Sequence, residues 1–216
     1  MELSIIQKIT IAILPILFAI TLHEAAHGYA ALLCGDKTAQ FSGRLSLNPM
    51  NHLDLLGTLV IPIATLLLGG ILFGWAKPVP FNPRNFKNPK RDTLFVALAG
   101  SFANLLMAFA WAGLARVALS FDTNHTGAPL ALSLMGHFGI SINLFIMLFN
   151  LLPIPPLDGS TVLYTLLPPR LAYSYQKIAP YGFFILLALV FVGGLNALIG
   201  PPYNLLLSII SSSVGL

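Results

Sequence analysis

Charged residues are scarce in this sequence. Only 8% of its 216 residues are Asp, Glu, Lys or Arg, whereas 56% are apolar. A soluble domain usually carries about 25% charged residues, so this composition excludes a fold whose whole surface is solvated. Long apolar runs lie at 9–22, 58–73, 94–114, 130–152 and 181–199. Because a bilayer-spanning helix needs about 20 such residues, the pattern predicts a multi-pass protein of the cell membrane, in contact with membrane lipid.

Cysteine is almost absent, and the positive charge is local. With Cys34 as its single cysteine, the chain cannot form an internal disulfide or hold a thiolate metal cluster. The net charge of +4 includes a basic loop that carries Lys77, Arg84, Lys87, Lys90 and Arg91. Basic residues beside a span usually mark the cytoplasmic face of a membrane protein. We therefore expect no nucleic-acid partner.

The order of runs and breaks predicts an all-α polytopic membrane protein with about 4–6 transmembrane or re-entrant helices. We expect a single domain over 1–216, whose first helix covers 3–33 and is retained rather than cleaved as a signal peptide. Further helices are expected over 92–119, up to 152 and over 180–198, with a final half-span or interfacial helix over 203–213. Residues 38–47 partly alternate between polar and apolar, which predicts a short membrane-associated β-hairpin.

The most informative motif is His23-Glu24-Ala25-Ala26-His27, an HExxH pattern inside the first apolar run. On a helix, positions i and i+4 share a face, so both imidazoles can reach one Zn²⁺ ion, and the glutamate between them can act as a general base. The alternative is a polar seam that packs between helices. Ionisable groups at membrane depth are costly and usually functional, which favours the metal site.

A tetrahedral zinc site needs a third protein ligand. Asp158 is the best candidate because it follows an apolar run directly, in the segment Pro153-Ile154-Pro155-Pro156-Leu157-Asp158-Gly159. The prolines break the helix there, and irregular backbone at membrane depth is tolerated where it lines a protein cavity. The alternative for Asp158 is a helix cap at a membrane exit.

The combination of HEAAH with NLLPIPPLDG, residues 150–159, resembles the site-2 protease family of intramembrane zinc metalloproteases. The stretches GRLSLNP and GWAKPVPFNPRN are similar to its compact bacterial branch, which lacks a PDZ domain. The resemblance implies one Zn²⁺ per chain, held by His23, His27 and Asp158. It also implies catalytic roles for Glu24, as the base, and for Asn150, near the substrate carbonyl.

Several other polar residues allow more than one interpretation. The family branch tends to have Gly-Pro-x-x-Asn in its third segment, and this chain keeps Gly100 and Asn104 but lacks the proline. We interpret Gly100 as a point of close helix contact. Asn104 and Asn143 are interpreted as bridges between helices, with substrate contact as the alternative. His52 with Asp54 is interpreted as a cap, with a second polar or metal site as the alternative, and His137 as a packing residue.

The ligands also constrain the topology. His23 and Asp158 both belong near the distal ends of their helices, so these two helices must run in the same direction. An odd number of crossings must therefore separate them, which predicts that the apolar segment 53–73 is re-entrant rather than crossing. The basic loop then lies on the same side as the metal, which predicts an active site nearer the cytoplasmic face.

The expected activity is hydrolysis of peptide bonds in a transmembrane protein or peptide substrate, that is, regulated intramembrane proteolysis. Because the amides of a substrate helix are bonded internally, the helix must first unwind. A strand edge within 38–47 is a candidate to receive it by β-addition. The alternative function is that of a non-catalytic metal-binding membrane protein or a divalent-metal transporter.

Overall fold

The computed structural model describes residues 3–54, 57, 77–121 and 127–216 of the chain. Helices dominate, and no β-strand occurs among these residues. The four longest helices are α1 (Ile5–Leu33), α3 (Pro89–Phe121), α4 (Gly127–Asn150) and α8 (Gly194–Val214). The shorter ones are α2 (Thr38–Phe41), α5 (Asp158–Leu166), α6 (Pro169–Gln176) and α7 (Gly182–Phe191).

Five helical segments of the described residues are long and apolar enough to cross a membrane. Four of them are α1, α3, α4 and α8, and the fifth is the Pro169–Phe191 segment, which contains α6 and α7. Large apolar side chains such as Phe102 and Leu106 remain exposed on α3, as expected for a surface that faces lipid rather than water. The chain is a multi-pass, all-α membrane protein, which confirms the predicted fold class.

Helices α3 and α4 pack closely because two glycines of α4 face α3. A Cβ atom on Gly139 would lie 2.3 Å from Cγ of Trp111, and one on Gly136 would lie 2.7 Å from Cβ of Ala115. Small residues at such positions let membrane helices approach each other. Trp111 of α3 faces Gly139 of α4, and Ala115 faces Gly136. Because positions rise along one helix as they fall along the other, α3 and α4 run antiparallel.

Helix α1 is also antiparallel to α3. Its His27 contacts Val96 of α3, and its His23 contacts Asn104, so positions rise along one helix as they fall along the other. Since α1 and α4 are both antiparallel to α3, they run in the same direction as each other. This is the relative direction that the positions of the predicted ligands require.

The prediction that 53–73 does not cross the membrane falls largely on residues outside those that the structure describes. The residues on either side of that segment can be placed, however. The N–H of Lys77 donates to the carbonyl of His52 at 2.9 Å, and the guanidinium of Arg44 donates to the carbonyls of Asn51 and Lys77. Lys77 therefore lies beside Asn51 and His52.

The predicted β-hairpin over 38–47 is wrong. Residues Thr38–Phe41 form one helical turn, and Gly43 follows it with a φ of 65°. The carboxylate of Asp36 accepts bonds from both the N–H and the hydroxyl of Thr38, which favours a helical turn over an extended strand. The alternation of polar and apolar residues over 38–47 gave no indication of these hydrogen bonds.

The predicted bounds of the last two segments are also wrong. Instead of one span over 180–198 and a half-span over 203–213, the chain breaks between α7 and α8. Gly193 has a φ of 71° at this break, a left-handed conformation that ends helices and that glycine adopts without strain. Pro201 and Pro202 lie inside α8, within the gap between the two predicted segments.

Candidate metal centre

The structure brings the three predicted ligands together at one point. Two of them, His23 and His27, are buried and lie one turn apart on α1, and Asp158 begins α5. The two Nε2 atoms lie 3.1 Å apart, and Oδ2 of Asp158 lies 3.1 Å from Nε2 of His23 and 3.2 Å from Nε2 of His27. Three metal-binding atoms from distant parts of the sequence thus form a small triangle.

This triangle fits a zinc ion. Donor atoms that lie about 2.0–2.1 Å from a tetrahedral zinc lie about 3.3 Å from one another, close to the separations found here. Two imidazole nitrogens and one carboxylate oxygen are also a set of ligands that catalytic zinc sites use, with a fourth position left for water or substrate. His23, His27 and Asp158 are therefore the residues that could hold a metal.

Gly100 on α3 keeps space open beside the triangle. A Cβ atom at this position would lie 2.5 Å from Nε2 of His27 and 2.6 Å from Nε2 of His23. Real Cβ atoms do not approach other atoms this closely, so no side chain fits here without displacing an imidazole. The sequence predicted close helix contact at Gly100 but gave no signal that the contact is with the two histidines.

The loop before α5 delivers Asp158 to the two histidines. Residue Leu157 has an extended backbone at the helix start, with φ −70° and ψ 157°, and its carbonyl accepts from the N–H of Ser160. Gly159 lies against the end of α4, because a Cβ there would be 2.2 Å from the carbonyl oxygen of Leu151. Close contact between this loop and α4 thus holds the carboxylate in position.

The second nitrogen of each imidazole also has a partner. Nδ1 of His27 lies 2.7 Å from the carbonyl oxygen of Val96, which can only accept. Nδ1 of His27 must therefore carry the proton, which leaves the lone pair of Nε2 free to bind a metal. Nδ1 of His23 lies 2.6 Å from Oδ1 of Asn104 in an equivalent contact.

Glu24, the predicted base, contacts the segment 77–80, which has no regular secondary structure. Its Oε2 accepts a hydrogen bond of 2.9 Å from the backbone N–H of Val79. Val79 itself is buried, and its Cγ1 would lie 3.2 Å from a Cβ built on Gly28. The carboxylate of Glu24 is thus held by the backbone of Val79, and the sequence KPVP at 77–80 gave no signal of this contact.

Asn150, the other predicted catalytic residue, lies at the last position of α4. Its amide donates to the carbonyl of Ile146 at 3.0 Å, one turn back in its own helix. Within the described residues, no hydrogen bond joins Asn150 to the three ligand residues. The structure therefore places Asn150 at the metal end of α4 but does not bring it into contact with the ligands.

The remaining polar candidates have structural partners. Nε2 of His52 lies 2.7 Å from the carbonyl oxygen of Ser46, and Asp54 accepts from the N–H of Gly57 at 2.7 Å, as a cap does. Nδ1 of His137 lies 2.8 Å from the carbonyl oxygen of Ser133 in its own helix. These contacts favour the cap and packing interpretations for the three residues.

Comparison with known proteins gives the chain its family. It is 38% identical over 178 residues to a Bacillus subtilis protein named "Putative zinc metalloprotease YwhC", across 82% of this chain and 78% of that protein. It is 28% identical to "Putative zinc metalloprotease Rip2" of Mycolicibacterium smegmatis, across 90% of this chain and 71% of that protein. The Rip2 protein of Mycobacterium tuberculosis is 32% identical across 81% of this chain and 62% of its own length.

No family model matches the chain, and no solved structure matches it. The relatives nevertheless match most of its length. They are named zinc metalloproteases, and the three ligand atoms of this chain are arranged as a zinc site requires. The chain belongs to the family of zinc metalloproteases that includes YwhC of Bacillus subtilis.

Proposed function

We propose that this protein is an intramembrane zinc endopeptidase of the site-2 protease type, in which His23, His27 and Asp158 hold one zinc ion. The observation that carries this proposal is the convergence of the three ligand atoms beside Gly100, with both histidines and Gly100 on helices long enough to cross a membrane. A metalloprotease site in such helices acts on peptide bonds that lie in or near the bilayer. Its substrates are transmembrane proteins or peptides.

The residues around the triangle divide the chemistry of hydrolysis among them. Bound zinc supplies Lewis acidity, which polarises a carbonyl group and makes water easier to deprotonate. Glu24 accepts the proton of the attacking water, and its bond from Val79 engages only Oε2, which leaves Oε1 for this role. Asn150 uses one N–H within its helix and has a second N–H with which to steady the substrate carbonyl oxygen.

The metal end of the helices faces the cytoplasm in this proposal. This end comprises the C-terminus of α1, the N-terminus of α3 and the C-terminus of α4. The basic loop adjoins it, since the N–H of Lys87 donates to the carbonyl of Cys34 just after α1. A concentration of basic residues at one end of a set of spans is typical of the cytoplasmic side.

The rival function is metal binding or metal transport without catalysis. A transporter needs polar groups along several spans, whereas the titratable ligands here meet at one point. Glu24 lies next to His23 in the sequence and is not one of the three ligand residues. A carboxylate that is free to act as a base favours hydrolysis over transport. The glutamate is therefore the residue at which the two functions make different predictions.

The Glu24→Gln variant tests the proposal. Loss of the general base should lower cleavage of a membrane-spanning reporter peptide by about 10²–10⁴-fold, because proton transfer in the transition state contributes about that much. The zinc content should be unchanged, since the three ligands remain. His137→Gln is the control, because this histidine bonds within its own helix. Unaltered cleavage in Glu24→Gln would exclude the proposed mechanism, and zinc uptake into vesicles by both proteins would favour the transporter.

A further inference from the structure

Two fully buried asparagines link the metal site to the helix core. Asn104 on α3 contacts His23 at 2.6 Å, and its amide nitrogen lies 3.1 Å from the carbonyl oxygen of Ala19 on α1. The same nitrogen lies 2.9 Å from Oδ1 of Asn143 on α4. Asn143 in turn donates to the carbonyl of Gly139 at 2.8 Å. One continuous chain of hydrogen bonds thus crosses three helices and ends on a predicted metal ligand.

The direction of every bond in this chain is determined by two backbone carbonyls. The carbonyl oxygen of Gly139 can only accept, so Asn143 must turn its NH₂ group toward it and its Oδ1 toward Asn104. Asn104 must then turn its own NH₂ group toward Asn143 and toward the carbonyl of Ala19, which also only accepts. Flipping either amide would place two acceptors face to face.

The hydrogen bonds of Asn104 determine which nitrogen of His23 carries a proton. With both N–H groups of Asn104 engaged, its Oδ1 is left facing Nδ1 of His23. Nδ1 must therefore carry a proton, and Nε2 presents its lone pair toward Nε2 of His27 and Oδ2 of Asp158. The chain of amides selects the only neutral tautomer of His23 that can bind a metal through Nε2.

We propose that Asn104 and Asn143 are positioning residues, which fix the tautomer and the ring orientation of His23 and so raise the affinity of the site for zinc. This inference rests on the proposed ligand role of His23. It gives the two amides a function beyond that of bridging helices. Partners of this kind behind a metal ligand typically contribute about 10–100-fold to metal affinity.

His27 provides an internal comparison. Its Nδ1 donates to the backbone carbonyl of Val96, so the protein backbone holds this ligand without help from a side chain. Only His23 depends on side chains that mutation can remove. Changes in the two amides should therefore weaken the zinc site through His23 and not through His27.

The test compares three variants of Asn104 and Asn143 with a matched control. Asn104→Leu removes the acceptor for His23, Asn143→Leu removes the group that orients Asn104, and Asn104→Asp keeps an acceptor but adds a buried charge. The control is Ser101→Ala, because Ser101 is buried on the same face of α3, donates to the carbonyl of Met147 of α4 and has no hydrogen bond to any histidine that the structure describes. Zinc affinity is measured on purified full-length protein by competition with a chelator. Thermal unfolding is measured on the zinc-free protein.

The proposal predicts different orders for the two measurements. Zinc affinity should fall about 10–100-fold in Asn104→Leu, less in Asn143→Leu, and least in Asn104→Asp and Ser101→Ala. The zinc-free unfolding temperature should fall most in Asn104→Asp, because a buried charge then faces two acceptors. If zinc affinity simply followed the unfolding temperature, or if Asn104→Leu bound zinc like the wild type, the amides would only bridge helices.

Because zinc affinity is measured without substrate, the result is separate from the proteolytic proposal. A wild-type protein that binds zinc tightly but cleaves nothing would leave the positioning role in place and remove the proposed function. If the wild type binds zinc and cleaves, but the Asn104 and Asn143 variants bind zinc as tightly as the wild type, the proposed function stands and the positioning role is excluded.

Discussion

At the scale of single residues, sequence spacing predicted that His23 and His27 share a helix face, but not what surrounds them. Two histidines at i and i+4 share a helix face in any α-helix, so their pairing follows from local geometry alone. The role of Gly100 depends on which atoms of another helix face its missing side chain, and no local pattern contains that information. The contact between Glu24 and Val79 is hidden for the same reason, since 55 positions separate the two residues.

Replacing Gly100 by alanine should abolish zinc binding. The added methyl would lie 2.5 Å and 2.6 Å from the two Nε2 atoms, so it must displace an imidazole from the ligand triangle. We expect zinc affinity to fall by at least about 100-fold, beyond the effect of losing an outer partner of a ligand. Metal analysis of the purified variant after dialysis checks this loss.

Gly113→Ala is the matched control for this change. Gly113 also lies on α3, and a Cβ there would meet no atom from elsewhere in the described structure within 4 Å. Alanine favours a helix by about 1 kcal/mol relative to glycine in both variants, so a general effect on helix stability would be shared. Zinc binding by Gly100→Ala at the wild-type level would show that the ion does not lie between these helices.

At the scale of elements, long apolar runs predicted α1, α3 and α4 well because each run forms one uninterrupted helix. Prediction failed where one contact decided between alternatives. The carboxylate of Asp36 favours a helical turn at Thr38, and the left-handed Gly193 divides an apolar run into two helices. Neither outcome depends on hydrophobicity, which was the main signal in the sequence.

Asp36 also connects the end of α1 to the segment that leads into α3. Its buried carboxylate accepts from the N–H of Asn82 at 2.6 Å and from the side chain of Asn85 at 2.7 Å, besides the two bonds from Thr38. Burial by itself would raise the pKa of Asp36, but the bonds from Asn85, Thr38 and Asn82 outweigh it and hold the pKa below its ordinary value.

This depressed pKa gives stability a defined dependence on pH. Since the carboxyl titrates lower in the folded protein, its contribution is fully present above the unfolded pKa of about 3.9 and is lost as pH falls through the folded pKa. Asp36→Ala should lower the free energy of unfolding at pH 7 by about 1–3 kcal/mol, because buried donors lose their acceptor. Its unfolding temperature should also fall less steeply than that of the wild type below about pH 4. If the unfolding temperatures of the wild type and of Asp36→Ala fell equally steeply with pH, this role for Asp36 would be contradicted.

At the scale of the whole molecule, the common direction of α1 and α4 places both halves of the metal site at one end of the helices. The sequence predicted this relation, because it follows from the positions of His23 and Asp158 along their apolar runs. It did not predict how closely the helices approach, which depends on facing pairs such as Gly139 and Trp111.

The proposed orientation predicts which positions label from outside the cell. In a Cys34→Ala background, a cysteine at the exposed position Asn88 should resist a membrane-impermeant maleimide in intact cells. A cysteine at the exposed position Ala128, at the opposite end of the helices, should react. The reverse pattern would place the metal end outside. Position 56 should label from the same side as position 88 if the segment between them does not cross.

The central claim is that one zinc ion beside Gly100 and one glutamate together make this protein a protease. The most direct measurement is cleavage of a reporter peptide per bound zinc, determined on the same proteoliposomes before chelation, after chelation and after zinc is restored. The wild type should lose cleavage with its zinc and regain it, whereas Glu24→Gln should regain zinc but no cleavage. Cleavage that survives removal of zinc, or that returns in Glu24→Gln, would contradict the account.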